Sequence, residues 1–240
     1  MSSPFHHIHG DPAVPLFLFG DHASKHIPAR YAALGLTGDD LTRHIAWDIG
    51  TEAVTRGVCQ RFGNPALVAG FSRLLIDPNR SLDMETLIPL DSDGSSIPGN
   101  LDLDAAAQAE RIETLYKPYH AALSDTLDQL GQPFVVSVHS FTPKPKTGEA
   151  RPVDLGLLVK HDVKSAETFK ARINDLAPQF RVAMNEPYSA YDLNHTVDTH
   201  IAPRGLSHLA IEIRQDHIST DQGVAKWVSL LGNALEPMIG

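Results

Sequence analysis

The sequence predicts a single α/β domain with a mostly parallel or mixed central sheet flanked by helices. Short apolar runs typical of buried strands alternate along the chain with amphipathic stretches of helical spacing. The 240 residues suffice for one large domain. Because neither an internal repeat nor a linker-like segment interrupts them, we predict one domain over residues 1–240.

The first half of the chain is predicted to hold three strands and one helix. Residues 15–20 (PLFLFG) form a continuous apolar run, as expected of a buried strand. An Asp can cap a helix over about 39–61, which a Gly and a Pro then end. Two short strands follow, at 66–69 and 74–76. Residues 81–100 are rich in Asp, Ser, Pro and Gly and predict a long loop.

The second half continues the alternation of helices and strands. A helical pattern covers residues 104–130, where Pro118 is expected to kink or divide the helix. Residues 134–138 (FVVSV) are the clearest strand in the sequence, and a polar loop over 142–152 follows them. The remaining predicted elements are strands over 154–159, 181–184 and 209–213, a helix near 166–175, and a closing helix capped by Ser219.

Composition and charge exclude several kinds of partner. The net charge of −9 and the pI of about 5.7 disfavour nucleic acid, which requires a concentrated basic surface. Cys59 is the only cysteine, so no internal disulfide can form and we expect a reducing, cytoplasmic setting. The apolar run at 14–19 is too short to span a bilayer, so we expect no membrane association. Residues 1–13, with three histidines among Pro and Gly, predict a flexible, solvated arm.

Five polar residues lie within or just after predicted buried strands, at positions where a strand that served only the hydrophobic core would not require them. His22, Asn79, Arg80 and His139 follow apolar runs, and Glu212 lies inside one (LAIEI). Ligands of open α/β sheets bind beyond the carboxyl ends of the strands, so we expect several of these side chains to meet there. Two imidazoles with one carboxylate are a recurrent catalytic zinc set that leaves one position for water.

Each of these residues also has an ordinary structural interpretation. A buried glutamate costs several kcal/mol unless a partner offsets its charge, and Glu212 could pair with Arg214 or another cation. A third metal ligand is offered by Asp48, which falls in an apolar stripe of the predicted helix over 39–61. His44, four residues earlier, could instead pair with Asp48.

The strings GDHASKHIP, IAWDIG, FSRLLIDPNRSLD, YKPYHAAL, VSVHS, NEPYS and LAIEIRQD occur in this order from about residue 15 to the C-terminal helix. In order and spacing they resemble the N-formylglutamate amidohydrolase family, which is similar to the zinc carboxypeptidases in fold and site. The resemblance implies one Zn²⁺ per chain, or another divalent transition metal, on His22 and His139, with Glu212 as general base. It makes Asp48 the third ligand, since the chain lacks the His-x-x-Glu pair of carboxypeptidases.

The resemblance also assigns three residues to the substrate. Arg73 would polarise the scissile carbonyl, while Asn79 and Arg80 would hold a substrate carboxylate, a role that suits the planar guanidinium fork. A surface ion pair of Arg80 with Asp77 or Asp83 is the alternative. The implied substrate is N-formyl-L-glutamate or a related N-acyl amino acid.

Other functions stay open on the sequence alone. A small-peptide carboxypeptidase or another N-acyl amino acid deacylase would use the same residues, and a non-catalytic metal- or carboxylate-binding module could retain the fold. Weaker candidates for the pocket or its rim, for which packing is the commoner role, are Tyr116, Tyr119, His120, Asn185, Tyr188, His195 and His200.

Overall fold

The computed structural model describes residues 3–239, and this part of the chain folds around one mixed sheet of seven strands. A separate two-stranded hairpin lies within the long loop after residue 80. The strands are β1 (Phe5–Ile8), β2 (Leu16–Gly20), β3 (Ala66–Ala69), β4 (Asp91–Ser92), β5 (Ser95–Ser96), β6 (Phe134–Phe141), β7 (Leu155–Leu158), β8 (Val182–Met184) and β9 (His208–Arg214). The seven-stranded sheet has the order β1-β3-β2-β6-β9-β7-β8, and its β1–β3 and β7–β9 pairs are antiparallel. The predicted fold class is confirmed.

Helices cover both faces of this sheet, as the alternation of side chains along β2 shows. The helices are α1 (Thr51–Phe62), α2 (Ala105–Arg111), α3 (Lys117–Leu130), α4 (Val163–Leu176) and α5 (Asp221–Ile239). Leu16 and Leu18 pack in a core with residues of α1, α4 and α5. Phe17 and Phe19 point the other way, into a core shared with α3. The strands therefore read as continuous apolar runs because both of their faces are buried.

The N-terminal segment differs from its prediction. Residues 5–8 form β1, which pairs with β3 from Phe5 opposite Ala69 to Ile8 opposite Ala66. The predicted flexible arm over residues 1–13 is therefore wrong for these residues, although His6 and His7 are exposed. Pairing of β1 satisfies backbone groups that the edge of β3 would otherwise present. Residues 1 and 2 of the predicted arm lie outside the described residues.

The helix predicted over 39–61 begins only at Thr51, three residues after Asp48, which was expected to lie on it. A short turn covers Gly38–Leu41, and helix α1 starts only at Thr51. Gly50 separates the two, with φ of 85° and so little room that a Cβ would lie 2.3 Å from the Ile218 carbonyl oxygen. Asp48 therefore lies in the loop before α1 and not on a helix face.

Three smaller predictions also need correction or refinement. Residues 74 and 75 lie in a turn and residue 76 in irregular structure, so no strand forms there. The helical pattern over 104–130 is divided as expected, because a wide turn over Ile112–Tyr116 links α2 to α3 just before Pro118, which cannot donate a backbone hydrogen bond. Thr220, rather than Ser219, caps α5 by accepting a hydrogen bond from the Gly223 N–H. No helix within residues 3–239 is long and apolar enough to cross a membrane.

Candidate active site

The sheet brings the predicted polar residues together at the carboxyl ends of its central strands. His22 lies two residues after β2, and His139 of β6 is the register partner of Glu212 on the neighbouring β9. Asp48 reaches the same place from the loop before α1, where its N–H donates to the His22 carbonyl oxygen over 2.8 Å. All four side chains line one pocket of about 350 Å³.

His22, Asp48 and His139 form a compact and buried set of ligand atoms. The Oδ2 oxygen of Asp48 lies 2.9 Å from Nδ1 of His139 and 3.4 Å from Nδ1 of His22. One ligand atom from each residue lies within 4.8 Å of the others, so the three could hold a metal ion. The alternative partner of Asp48 is not used, because His44 lies against Asp93, with 3.3 Å between Nε2 and Oδ2.

Two further carboxylates face the Nε2 atoms of the two imidazoles. Nε2 of His22 lies 2.7 Å from Oδ1 of Asp77, and Nε2 of His139 lies 3.5 Å from Oδ2 of Asp21. Each imidazole thus turns Nδ1 towards Asp48 and Nε2 towards a buried carboxylate, the outer partner that metal-bound histidines ordinarily have. Sequence reasoning missed these roles of Asp21 and Asp77, although each lies next to or within a motif that it had singled out.

The charges of this group favour a divalent cation. Asp21, Asp48, Asp77 and Glu212 are all less than a tenth exposed, and the guanidinium groups nearest to them belong to Arg73 and Arg80. With neutral imidazoles, the three ionised aspartates leave one negative charge without a counter-charge, and ionisation of Glu212 adds a second, which is costly for buried groups. The Oδ2 atom of Asp21 has no hydrogen-bond partner among the described residues. The donor set and its charge therefore fit a divalent metal ion.

The pKa values of these carboxyls follow their partners. Burial by itself would raise the pKa of Asp48, but the adjacent His22 and His139 outweigh it and hold that pKa below its usual range. Burial would likewise raise the pKa of Asp77, but Arg73 and His22 outweigh it and lower that pKa. These carboxylates are ionised at neutral pH, as metal ligands and their outer partners must be.

Glu212 behaves differently from the three aspartates. Burial raises the pKa of its carboxyl to about 7, against the opposing charge of His139. Its Oε2 oxygen has no hydrogen-bond partner within residues 3–239. The proposed pairing with Arg214 is absent, because Arg214 binds Asp154 and Asp216 instead. A carboxyl that gains and loses its proton near neutral pH, with a free oxygen in a pocket, is suited to proton transfer.

Three more predicted residues line the pocket beside this group. Arg73 reaches Asp77 over 2.5 Å and Nδ1 of His22 over 3.2 Å. Arg80 lies 3.9 Å from Asp77, so the alternative ion pair is loose, and it is largely buried rather than on the surface. Asn79 accepts a hydrogen bond from the Thr196 N–H at Oδ1, which leaves its NH₂ group as a donor.

The mouth of the pocket contains Arg151 and Asp93, which sequence reasoning missed, and Tyr188, which it had named as a weaker candidate. Arg151 and Tyr188 lie together, with NH1 of Arg151 donating to the Tyr188 hydroxyl over 3.0 Å. Asp93 also lines the pocket and accepts hydrogen bonds from the backbone N–H groups of Lys146 and Thr147. Asp93 thereby ties the hairpin of β4 and β5 to the polar loop that precedes Arg151. Neither apolar periodicity nor a strand end marks these positions.

Of the weaker candidates, Tyr188 lines the pocket and the other six do not. Tyr119 is fully buried and donates to Oδ1 of Asp21 over 2.8 Å. His120 and His200 hydrogen-bond each other over 2.8 Å, and Tyr116 hydrogen-bonds His195 over 2.7 Å. Asn185 binds the backbone of Val159 and does not line the pocket.

A single α/β domain that joins imidazoles, carboxylates and a free acid–base group at the ends of its strands has the site of a hydrolase. Comparison with known proteins gives the particular class. The chain belongs to the N-formylglutamate amidohydrolase family, whose family model matches residues 14–219. This confirms the predicted family, and the family supports a hydrolase that acts on an amide.

Solved structures are similar to the chain over nearly its whole length. A gene product of Agrobacterium tumefaciens is 33% identical, with a TM-score of 0.91, over 98% of this chain and 96% of that one. An N-formylglutamate amidohydrolase from Ralstonia eutropha is 21% identical, with a TM-score of 0.70, over 98% and 97% of the two chains. A bacteriophage poly-gamma-glutamate hydrolase is 10% identical, with a TM-score of 0.50, over 99% and 91%. The last two show the fold alone. No curated protein matches the chain at a significant level.

Proposed function

We propose that this protein is a zinc-dependent amidohydrolase that cleaves N-formyl-L-glutamate, or a related N-acyl amino acid, into formate or another carboxylate and the free amino acid. The observation that carries the proposal is the meeting of a ligand set and a free acid–base carboxyl in one pocket. A cytoplasmic setting, inferred from the single cysteine, belongs to the same proposal.

His22, Asp48 and His139 would hold the metal, with Asp77 and Asp21 orienting the two imidazoles. When bound, Zn²⁺ supplies a Lewis acid that polarises a carbonyl and lowers the pKa of water. Other divalent transition metals suit the same nitrogen and oxygen ligands.

Glu212 is the proposed general base. With its pKa near 7 and one oxygen free, it takes a proton from the water molecule that attacks the acyl carbon. The same carboxyl then gives this proton to the leaving amine as the carbon–nitrogen bond breaks. Its backbone is fixed by the pairing of β9 with β6 on one side and with β7 on the other, so the carboxyl needs little reorganisation.

The arginines of the pocket act on the substrate. Arg73 is held by Asp77 and faces the ligand set, where its guanidinium stabilises negative charge that develops on the carbonyl oxygen. Asn79 and Arg80 bind the carboxylate of the amino acid. The guanidinium group of Arg80 is available for this because its nearest carboxylate, Asp77, is 3.9 Å away.

Metal analysis and formate release from a panel of N-formyl amino acids test this function together. We expect about one metal ion per chain and turnover of N-formyl-L-glutamate that chelation abolishes and Zn²⁺ restores. Bound metal without turnover of any formyl, acetyl or dipeptide substrate would indicate a non-catalytic module. Turnover of dipeptides with a free C-terminus, but of no formyl amino acid, would indicate a carboxypeptidase.

A further inference from the structure

Arg151 is held at the mouth of the pocket by contacts that fix its guanidinium group. Its backbone N–H donates to the Pro143 carbonyl oxygen over 2.8 Å and closes the loop between them. Its NH1 group donates to the Thr142 carbonyl oxygen over 3.3 Å and to the Tyr188 hydroxyl over 3.0 Å. The guanidinium lies over the Tyr188 ring, 4.8 Å from its centre. The group is therefore pre-organised.

None of these contacts neutralises the charge of Arg151. No carboxylate among residues 3–239 forms an ion pair with it, whereas Arg43 binds both Asp40 and Asp93. Arg80 is similar, because its 3.9 Å neighbour Asp77 is already engaged by Arg73 and His22. The pocket therefore presents two guanidinium groups, those of Arg80 and Arg151, that no carboxylate of the described residues binds at close range.

A substrate with one carboxylate engages only one of these two groups. N-formyl-L-glutamate has two, one on the α-carbon and one at the end of its side chain. Since Asn79 lies beside Arg80, the pair at 79–80 is suited to the α-carboxylate, and Arg151 remains for the second. The Tyr188 hydroxyl accepts from Arg151 and keeps its own proton, which it can donate to the same carboxylate.

We propose that Arg151, positioned by Tyr188, binds the side-chain carboxylate of the substrate and makes the enzyme selective for acidic N-acyl amino acids. The inference rests on the proposed function and adds a specificity determinant to it. It explains why an arginine that also closes a surface loop faces the catalytic pocket. A planar fork paired with a hydroxyl recognises a carboxylate and has no such match in an uncharged side chain.

The decisive comparison uses N-formyl-L-glutamate and N-formyl-L-glutamine, which have nearly the same shape but differ in charge. We expect the wild-type enzyme to prefer the glutamate compound. Arg151→Gln should lower kcat/KM for it by about 10- to 100-fold, the usual effect of losing a charge-assisted hydrogen bond, and change the glutamine compound by less than about threefold. Arg151→Lys should keep part of the preference, because it keeps the charge without the fork.

Lys144→Gln is the matched control, because Lys144 is exposed on the same loop and outside this pocket. It removes one positive charge and should leave both substrates unchanged. Equal losses on both substrates in Arg151→Gln, with retained activity in Arg151→Lys, would mean that Arg151 only holds the loop and would overturn the inference.

Different experimental results would refute this inference and the proposed function. If the metal-loaded wild-type enzyme releases formate equally well from both compounds, the amidohydrolase stands and the role of Arg151 is wrong. If it releases formate from no N-formyl amino acid, the proposed function is wrong, and the selectivity proposed here falls with it.

Discussion

Two groups of buried histidines lie on either side of the segment at residues 77–80, and their surroundings give them opposite properties. His22 and His139 are flanked by carboxylates, at distances of 2.7 to 3.5 Å. His120 and His200 are also buried but hydrogen-bond each other, and His120 also donates to the Pro78 carbonyl oxygen. Both pairs are buried, so burial alone does not distinguish a candidate metal ligand from a structural histidine.

The pKa values of the two groups show what does distinguish them. Burial lowers the pKa of His120 and that of His200 to about 4, because neither has a carboxylate in contact. Burial acts in the same direction on His139, but Asp21 and Asp48 outweigh it and raise its pKa above the ordinary value. Carboxylates that attract a proton to this imidazole pair also attract a metal ion, and the two compete for the same nitrogens.

The second group lies against the segment that contains Asn79 and Arg80, the proposed carboxylate-binding residues. His120 holds the Pro78 carbonyl oxygen, and the Tyr116 hydroxyl donates to the Arg80 carbonyl oxygen over 2.8 Å. Thr196 fixes the Asn79 side chain from the same side. His120, held in turn by His200, thus helps to fix the backbone of the segment whose side chains face the pocket.

The largest expected difference between the two groups is in metal content. His22→Ala or His139→Ala should abolish hydrolysis and weaken metal binding by more than about 100-fold, since losing even an outer partner of a ligand costs about 10- to 100-fold. His120→Gln should retain the metal. Metal analysis after dialysis measures both. Full occupancy in the double variant of His22 and His139 would mean that the metal site lies elsewhere.

Glu212 tests whether the first group contains a base as well as ligands. Glu212→Gln should keep the metal but slow turnover by about 10²- to 10⁴-fold, the range expected for the loss of a general base. The side chain keeps its size, and its buried charge is removed, so folding should not suffer. Turnover at the wild-type rate would remove Glu212 from the mechanism.

Arg80 lies where the two groups meet, and its effect should be smaller and confined to the substrate. Arg80→Ala should lower kcat/KM by about 10- to 100-fold on a substrate with a free α-carboxylate and leave metal content unchanged. The corresponding α-amide should be a poor substrate for the wild type and no worse for the variant. Equal losses on both substrates would indicate that Arg80 has a structural role only.

Local patterns predicted the strands well and the contacts between distant residues poorly. The apolar runs of β2, β6 and β9 marked buried strands, and polar residues at their ends marked the site. The start of α1 was missed because propensity does not reveal that the space at Gly50 admits no side chain. Asp77 was seen only as a neighbour of Arg80, since its contact with His22 joins residues 55 apart in the chain. Arg151 reaches the pocket because of the conformation of an irregular loop, which hydrophobic periodicity does not predict.

The smallest effect expected from the comparison is a pH dependence of folding that comes from His120. Its pKa is about 4 in the folded protein, against an ordinary value of 6.5, so the folded state resists protonation. Above pH 6.5 the residue is neutral in both states and costs nothing. As the pH falls from 6.5 towards 4, the unfolded chain takes up a proton that the folded chain does not, and stability is lost. Between pH 7 and 5.5 this amounts to about 1 kcal/mol.

His120→Gln can keep the hydrogen bonds to Pro78 and His200 without titrating, so its unfolding free energy in urea should fall by about 1 kcal/mol less than that of the wild type over this range. His7→Gln, at an exposed position of β1, serves as the control and should follow the wild type. Identical pH dependence in the wild type and His120→Gln would show that His120 titrates alike in both states, and the contrast between the two histidine groups would then lose its electrostatic basis.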